Sequence, residues 1–237
     1  MAYYDRIAKH WHKVTGYKGG AFKRHLLNDA IINKIEHITD KNILELGAGN
    51  GYFVPFMLRQ FPGQRPSHIV ITDISKVLLQ IARSHFPVEG AQYIFLDVHR
   101  KFDFKDESFH LILASMIFNE ISDTGVKNAL IECHRVLKKD GQLIISIIHP
   151  LFVLSLEKRN MLKKKVYGRL TMPGSDGIRL PVVKRSLKKY LNLLDDFQIG
   201  IKEIAPTPQL LNEKPGLRQA RGVPLAAVFN CVKRFKQ

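Results

Sequence analysis

The chain has 237 residues, 45% of them hydrophobic, and 37 Lys/Arg against 21 Asp/Glu give a formal charge of +16. That length suits one elaborated domain, 1–237, better than two independent ones. The longest apolar run, Leu143 to Ile148 with its neighbours, falls far short of the roughly 20 residues a membrane-spanning helix needs, and the start MAYYDRIAKHWHK is too polar for a secretory signal.

A cytoplasmic protein is therefore expected, and Cys133 and Cys231, neither in a CxxC or Cys/His spacing, read as small apolar residues in a reducing compartment. The charge is uneven: residues 151–237 hold 18 Lys/Arg against 6 Asp/Glu, about +12 of the total. Such a field favours an anionic partner, whether an acidic small molecule, nucleic acid or an anionic membrane surface, unless it is simply a solvated basic face.

In chain order, residues 3–20 hold Tyr3, Tyr4, His10, Trp11, His12 and Tyr17 among polar residues and end in Gly19-Gly20, which suggests a mobile aromatic segment. From Ala21 to Ile38, Leu26, Leu27, Ala30, Ile31, Ile35 and Ile38 recur at helical spacing and predict an amphipathic helix. A first strand, Asn42 to Leu46, runs into Gly47, Gly49 and Gly51. A helix from Tyr52 to Phe61 follows, closed by Pro62-Gly63, and Pro55 is tolerable in its first turn. The strand His68 to Thr72 ends in Asp73, and Ser75 caps a helix that stops at Pro87. Gln92 to Leu96 is a strand ending in Asp97. The strand Leu111 to Ala114 leads into Ser115-Met116-Ile117-Phe118-Asn119-Glu120. Asp123 or Thr124 caps a helix through Lys138 with Gly141 as its stop, and Gln142 to Ile148 is a fifth strand ended by His149-Pro150. Strict alternation to this point argues a parallel sheet covered on both faces.

Residues 151–184 break that rhythm, being Lys-rich with Pro173, Gly174, Gly177 and Pro181, and read as an insertion or substrate cap beside the sheet. Arg185 to Phe197 returns to helix and Gln198 to Ile204 to strand. Pro206 to Pro224 reads as a long loop, and Leu225 to Val232 as a last strand. Two consecutive strands with no helix between imply an antiparallel pair at one edge. The domain thus divides into an N-terminal lid and helix (1–40), a core (41–150), the cap (151–184) and a C-terminal helix with the strand pair (185–237).

In an open parallel sheet, ligands lie beyond the carboxyl ends of the strands. There the first three strands end in Glu45 with the glycines, Asp73 and Asp97. The turn reads Glu-x-Gly-x-Gly-x-Gly and not GxGxxG, and a carboxylate before the first glycine suits a cation better than a pyrophosphate. ELGAGNG, ITDIS and FLDV, in this order and with SFHLILASMIF, RVLKKDG and QLIISI after them, resemble the class I S-adenosylmethionine-dependent methyltransferases over residues 40–150. The small-molecule, type 11/25-like branch is the nearest likeness, through SLKKYLNLL and IKEIAPTPQL. The resemblance implies an α/β, Rossmann-like, doubly wound, seven-stranded, mostly parallel sheet with an antiparallel edge strand in three α/β/α layers. The implied cofactor is S-adenosyl-L-methionine, with S-adenosyl-L-homocysteine as product.

By the same resemblance, Gly47, Ala48, Gly49 and Gly51 let the backbone approach the methionine and ribose. Asp73 accepts the ribose hydroxyls, Ile74 packs on the adenine, and Asp97 with the Val98 backbone meets its edge. Glu45 acts toward the cationic methionine end, and Ser115 completes the cofactor set. The acceptor pocket is expected over the fourth and fifth strand ends, bringing in Met116, Phe118, Asn119 and His149, the last as base or orienter or else as a bond in the turn. Tyr4, Trp11 and Tyr17 read as parts of a lid or as aromatics packed on the sheet. The expected acceptor is a small metabolite, acidic in view of the charge, methylated on O, N or C, and no metal is called for. A nucleic-acid methyltransferase is the runner-up, although the tail holds few aromatics for base stacking, Tyr167 and Tyr190, and 115–120 lacks the Asn/Asp-Pro-Pro-aromatic motif. A non-catalytic cofactor-binding partner is a third reading, and the chain leaves monomer or homodimer open.

Overall fold

The computed structural model describes residues 3–166, 169–173, 178–220 and 222–234, with backbone alone for 163–166 and 169–173. Tyr167, Gly174, Gly177 and Arg221 lie outside the described residues.

The core is a seven-stranded sheet of β1 (Asn42–Leu46), β2 (His68–Asp73), β3 (Gln92–Phe95), β4 (Phe109–Ser115), β5 (Leu137–Ile148), β9 (Phe197–Ile204) and β10 (Ala226–Lys233), in the order β3-β2-β1-β4-β5-β10-β9. The first five strands are mutually parallel, and β10 runs antiparallel to both β5 and β9. The antiparallel pair thus closes one edge as expected, with the reversed strand one place in. Alternation along the central strands separates two apolar layers. Ile43, Leu111, Leu113 and Ile144 pack on the side of α2 (Asn28–Ile32) and α3 (Phe53–Gln60). Leu44, Leu46, Ile112 and Ile145 pack on the side of α5 (Asp123–Val136) and α7 (Leu187–Leu193). A strand buried on both faces must be apolar at every position, and Glu45 at 3% exposure is the exception in β1.

Several expectations change. Residues 3–15 are not a mobile segment but a regular helix, α1 (Tyr3–Thr15), packed on α4 (Lys76–His85). The periodicity between Ala21 and Ile38 is split into a π-helical turn, Lys23–Leu27, and the short α2, after which Ile35 and Ile38 pack from outside any helix. Ser122, not Asp123 or Thr124, caps α5, its hydroxyl accepting the Gly125 N–H at 3.1 Å. Gly141 is not a helix stop. β5 begins at Leu137, directly after α5, and Gly141 sits in the irregularity that shifts its register against β4. The cap consists of α6 (Pro150–Lys158) and a three-stranded antiparallel sheet, β6 (Lys163–Val166), β7 (Arg169–Pro173) and β8 (Arg179–Val182). Pro206–Pro224 is no plain loop, since α8 (Pro208–Glu213) and a 3-10 turn at Pro215–Ala220 fill it.

Arg185 ties the cap to the core. Its buried guanidinium donates to the carbonyls of Phe118 and Ile121 and to Asp123 Oδ1, at 2.8, 3.0 and 2.8 Å. Cys133 and Cys231 are free and buried. No described helix is long and apolar enough to cross a membrane.

Candidate active site

The register aligns Leu46 with Thr72 and with Ala114, so Gly47, Asp73 and Ser115 stand level at the carboxyl edge of three adjacent strands. The chain then turns through positive φ at Gly47 (+64°), Gly49 (+62°) and Gly51 (+84°), a region closed to most side chains. Backbone bonds hold the turn against β2: the Ala48 N–H donates to the Thr72 carbonyl at 2.9 Å, and the Gly49 N–H to Asp73 Oδ2 at 2.8 Å. The other Asp73 oxygen accepts the Ser75 N–H at 2.8 Å. Asp73 therefore organises the turn whatever else it binds.

The three glycines have different neighbours. A Cβ on Gly47 would lie 2.1 Å from Ile117 Cγ2, and one on Gly49 would lie 3.2 Å from the Trp11 indole nitrogen. At Gly51 the missing side chain makes room for Ala82 of α4, whose Cβ would be 2.4 Å away, so this glycine is required by helix packing.

Beneath the turn, Glu45 is buried and its Oε2 has no hydrogen-bond partner. Burial pushes its carboxyl up to about 7, against the opposing pull of the Lys23 ammonium. Burial likewise raises Asp73 to about 6, resisted by the Ser75 and Gly49 N–H groups. Both folded-state values lie above the ordinary carboxyl range, so their contribution to stability is present at acid pH and lost as pH rises through 6 to 7. The thermal midpoint of the cofactor-free protein is expected to fall between pH 5 and 8, by a stability change on the order of 1–3 kcal/mol, and Glu45→Gln to flatten that slope. Identical profiles for the two proteins would contradict this assignment.

Asp97 stands apart, beyond β3. It accepts from the His99 ring at 2.8 Å and from the His99 N–H at 3.0 Å. Burial works to raise its carboxyl, but these bonds and the charges of His99 and Arg100 leave it below the usual range. It borders a surface cavity of about 400 Å³ together with Phe95 and Phe102. Ile74 is exposed at the end of β2 and Val98 half-buried after β3.

The helix α1 lies across the site. Its Asp5 accepts from the Ser75 hydroxyl at 2.6 Å, its Tyr4 hydroxyl donates to Glu120 Oε1 at 2.6 Å, and Tyr4 and Trp11 meet edge to face at 5.6 Å. Tyr3 reaches the cap through the Arg179 carbonyl at 2.6 Å. Tyr17 does not belong to this group: it is 64% exposed and rests on Phe86, 5.0 Å between centroids.

On the acceptor side, Ser115 Oγ meets Ser146 Oγ at 2.9 Å, and the half-buried Met116 adopts φ +69°, an uncommon conformation for a side chain of that size. Phe118 is core, at 1% exposure, and corrects its reading as a substrate contact. Asn119 is a buried bracket instead of a substrate contact, accepting the Ile148 N–H at 2.9 Å and donating to the Met116 carbonyl at 3.1 Å. His149 has the bond in the turn that was the second of its two readings. Its Nδ1 accepts the Leu151 N–H at 3.1 Å to cap α6, its Nε2 faces Glu203 at 3.4 Å without a hydrogen bond, and the residue is 2% exposed. Burial lowers its pKa despite Glu203, so the ring is neutral near pH 7.

The sequence singles out neither Lys23 nor Ile117 nor Glu120, although Ile117 and Glu120 lie within SMIFNE. Lys23 carried no local signal at all. Among the described residues, no group of three or more His, Cys, Asp or Glu is placed to hold a metal ion.

Residues 43–141 match the family model described as a methyltransferase domain. The chain is 28% identical over 150 residues to a malonyl-[acyl-carrier protein] O-methyltransferase of Methylococcus capsulatus, covering 60% of this chain and 53% of that protein. It is 30% identical over 122 residues to a demethylmenaquinone methyltransferase of Thermotoga maritima, covering 51% of this chain and 49% of that protein. The chain thus spans about half the length of these curated relatives. An S-adenosylmethionine-dependent methyltransferase from Mesorhizobium loti superposes with a TM-score of 0.66 at 21% identity over 92% of this chain and all of that one. A complex of the Haloferax volcanii Trm112 methyltransferase activator with a methyltransferase gives 0.69 at 15% identity over 99% of both chains. At such identities the superpositions speak for the fold. Motifs, strand order and family match agree: residues 43–141 of the chain match a methyltransferase domain, set in a seven-stranded sheet that superposes on solved S-adenosylmethionine-dependent methyltransferases.

Proposed function

We propose that the chain transfers a methyl group from S-adenosylmethionine to oxygen, nitrogen or carbon of a small acidic metabolite, leaving S-adenosylhomocysteine. The observation that carries the proposal is the buried Glu45 oxygen left without a partner beneath a turn that Asp73 holds open. An unsatisfied carboxylate in a dry site is costly, and a ligand with an ammonium and a sulfonium offsets that cost where a pyrophosphate would add to it. When bound, the cofactor supplies a methyl group already activated by the sulfonium charge.

The protein's own work is then positioning and exclusion of water. Asp73 would receive the ribose hydroxyls on its remaining lone pairs, Ile74 and Val98 would flank the adenine, and Asp97 would meet its edge. Ala48 and Ser115 would line the middle of the site, and α1, through Tyr4 and Trp11, would shut it from solvent. Where the acceptor must lose a proton, Glu120 under the Tyr4 hydroxyl is the better candidate than the capped His149. The names of the relatives speak of a malonyl-[acyl-carrier protein] and of a demethylmenaquinone, so the acceptor atom stays open in the proposal. The +16 charge supports an acidic acceptor and is also what supports the nucleic-acid reading. The buried free thiols Cys133 and Cys231 support a reducing, cytoplasmic setting.

Calorimetry with S-adenosylhomocysteine, followed by incubation with methyl-labelled cofactor and a cell extract, tests all of this. Saturable binding and label on a small, anionic compound are expected. Absence of binding would end the proposal, and label on RNA or DNA with steeply salt-dependent binding would turn it to nucleic acid.

A further inference from the structure

A histidine pair between α1 and α4 has no part in the proposed chemistry. His12 lies in the last turn of α1 and His85 ends α4, and their ring centroids are 4.5 Å apart. Phe86 and Tyr17 close the cluster, 6.0 and 6.5 Å from the His12 ring. His85 is fixed in place, its Nδ1 donating to the Ile81 carbonyl at 3.2 Å. The remaining contact to His12 is polar. Asn50 of the glycine turn reaches His12 Nδ1 at 3.2 Å through its amide nitrogen, and the same nitrogen donates to the Gly16 carbonyl at 3.1 Å. A carbonyl takes only a donor, so Gly16 sets the amide's orientation and His12 Nδ1 must accept. The neutral ring, with its proton on Nε2, is the form that fits. A proton on Nδ1 would face the Asn50 N–H, and turning the amide over would set Asn50 Oδ1 against the Gly16 carbonyl.

The groups around the ring do not welcome a second charge. From α4 comes His85, and Lys76–His85 contains no Asp or Glu. The glycine turn brings the uncharged Asn50, and the chain after α1 brings the Tyr17 phenol. On α1 itself His12 follows Lys9 by one turn and precedes Lys13, while the helix's one acid, Asp5, is bonded to Ser75. Burial and, after it, the charge of His85 lower the pKa of His12. Its neighbour Trp11 puts the indole nitrogen where a Cβ on Gly49 would come within 3.2 Å.

We propose that His12 is a proton-sensitive latch for α1: on taking up a proton it frees the C-terminal turn of the helix from His85 and Asn50, and Trp11 with it from Gly49. This rests on the reading above that α1 shuts the cofactor site, and adds the condition under which it opens. A released His12 binds a proton more tightly than the docked one. Docking is therefore at full strength above the ordinary histidine value of 6.5 and weakens as pH falls below it. Glu45 and Asp73 act on overall stability in the opposite sense, so the readout has to be local.

Trp11 is the single tryptophan of the chain, and its emission maximum reports the latch. In the cofactor-free protein the maximum is expected to move to longer wavelength between about pH 7.5 and about pH 5.5, with the far-ultraviolet circular dichroism preserved. His12→Gln, whose amide oxygen takes the Asn50 N–H without charging, should hold one maximum throughout, and His85→Gln should show a smaller shift than wild type. By calorimetry at the lower pH, wild type should bind S-adenosylhomocysteine about 3- to 10-fold less tightly than His12→Gln, the two being alike at the higher pH. Comparison at one pH cancels the titration of Glu45 and Asp73, which both proteins share. A wild-type maximum that stays in place, an equal shift in His12→Gln, or a shift with loss of the circular dichroism overturns the latch. Equal affinities at the lower pH overturn its control of the site. The expected shift without binding of S-adenosylhomocysteine at either pH supports the latch and overturns the cofactor reading instead.

Discussion

Asp73→Ala is expected to weaken S-adenosylhomocysteine binding by about two orders of magnitude and to lower stability in the same step. The carboxylate accepts the Gly49 and Ser75 N–H groups at 2.8 Å each. Removing it leaves both donors without their acceptor in a site where Asp73 itself is only 6% exposed, at roughly 1–3 kcal/mol for each orphaned group. Gly49 then loses its tether to β2, and the turn that Trp11 covers is no longer held level with Ser115. The binding loss follows from the missing acceptor for the ribose and from the slackened turn together. Asp73→Asn keeps the shape and one acceptor oxygen, and should retain more of the stability than of the binding. Calorimetry and urea unfolding on the three proteins separate the two effects. Wild-type affinity in Asp73→Ala would show that the cofactor sits elsewhere.

Gly51→Ala should be among the most destabilising single-methyl changes in the chain, at about 3 kcal/mol. For a domain of this length that is a fall of about 10 °C in thermal midpoint. The added Cβ would meet Ala82 Cβ at 2.4 Å and its Cα at 2.9 Å, and the backbone there holds φ +84°. Neither partner is the far end of a flexible side chain. The helix α4 must move, and Ser75, which caps it, carries the contact to Asp5 of α1. Gly90 provides the control, because it shares a positive φ of +72° with nothing within 4 Å. Gly90→Ala should cost only the conformational part, about 1 kcal/mol. Equal thermal midpoints for the two variants would mean that backbone conformation alone, and not crowding against α4, makes Gly51 a glycine.

Much of the architecture was legible because it depends on period and punctuation. The largely apolar strands ending in Leu46, Thr72 and Ala114 require burial on both faces, which only helices on both sides of a parallel sheet supply. Ser75 capping α4 could be read because a cap is a bond between residues three apart, here Ser75 Oγ and the Leu78 N–H. Where local signals competed, the reading failed. Tyr3–Thr15 looked like a mobile segment because its aromatic residues sit among charged ones, but Asp5, Tyr4 and Trp11 find partners on Ser75, Glu120 and the glycine turn. Those partners lie 70 or more residues away for Asp5 and Tyr4, and no window of sequence contains them. His149-Pro150 at a strand end allowed either a base or a bond in the turn, and capping α6 occupies one ring nitrogen there.

Taken alone, the sequence determined the kind of ligand. Glu45, the alternating glycines, Asp73 and Asp97 fall at successive strand ends, and parallel pairing in register brings strand ends to one edge whatever the side chains beyond them do. Only the tertiary structure decided which groups stand free to meet that ligand. It spends His149 on α6, Asn119 on β5 and Gly51 on Ala82, and it leaves one oxygen of the buried Glu45 without a partner. The reason is that a motif is a local arrangement, while the availability of a hydrogen-bonding group is set by every segment packed around it. That accounting closes only when the whole chain is folded.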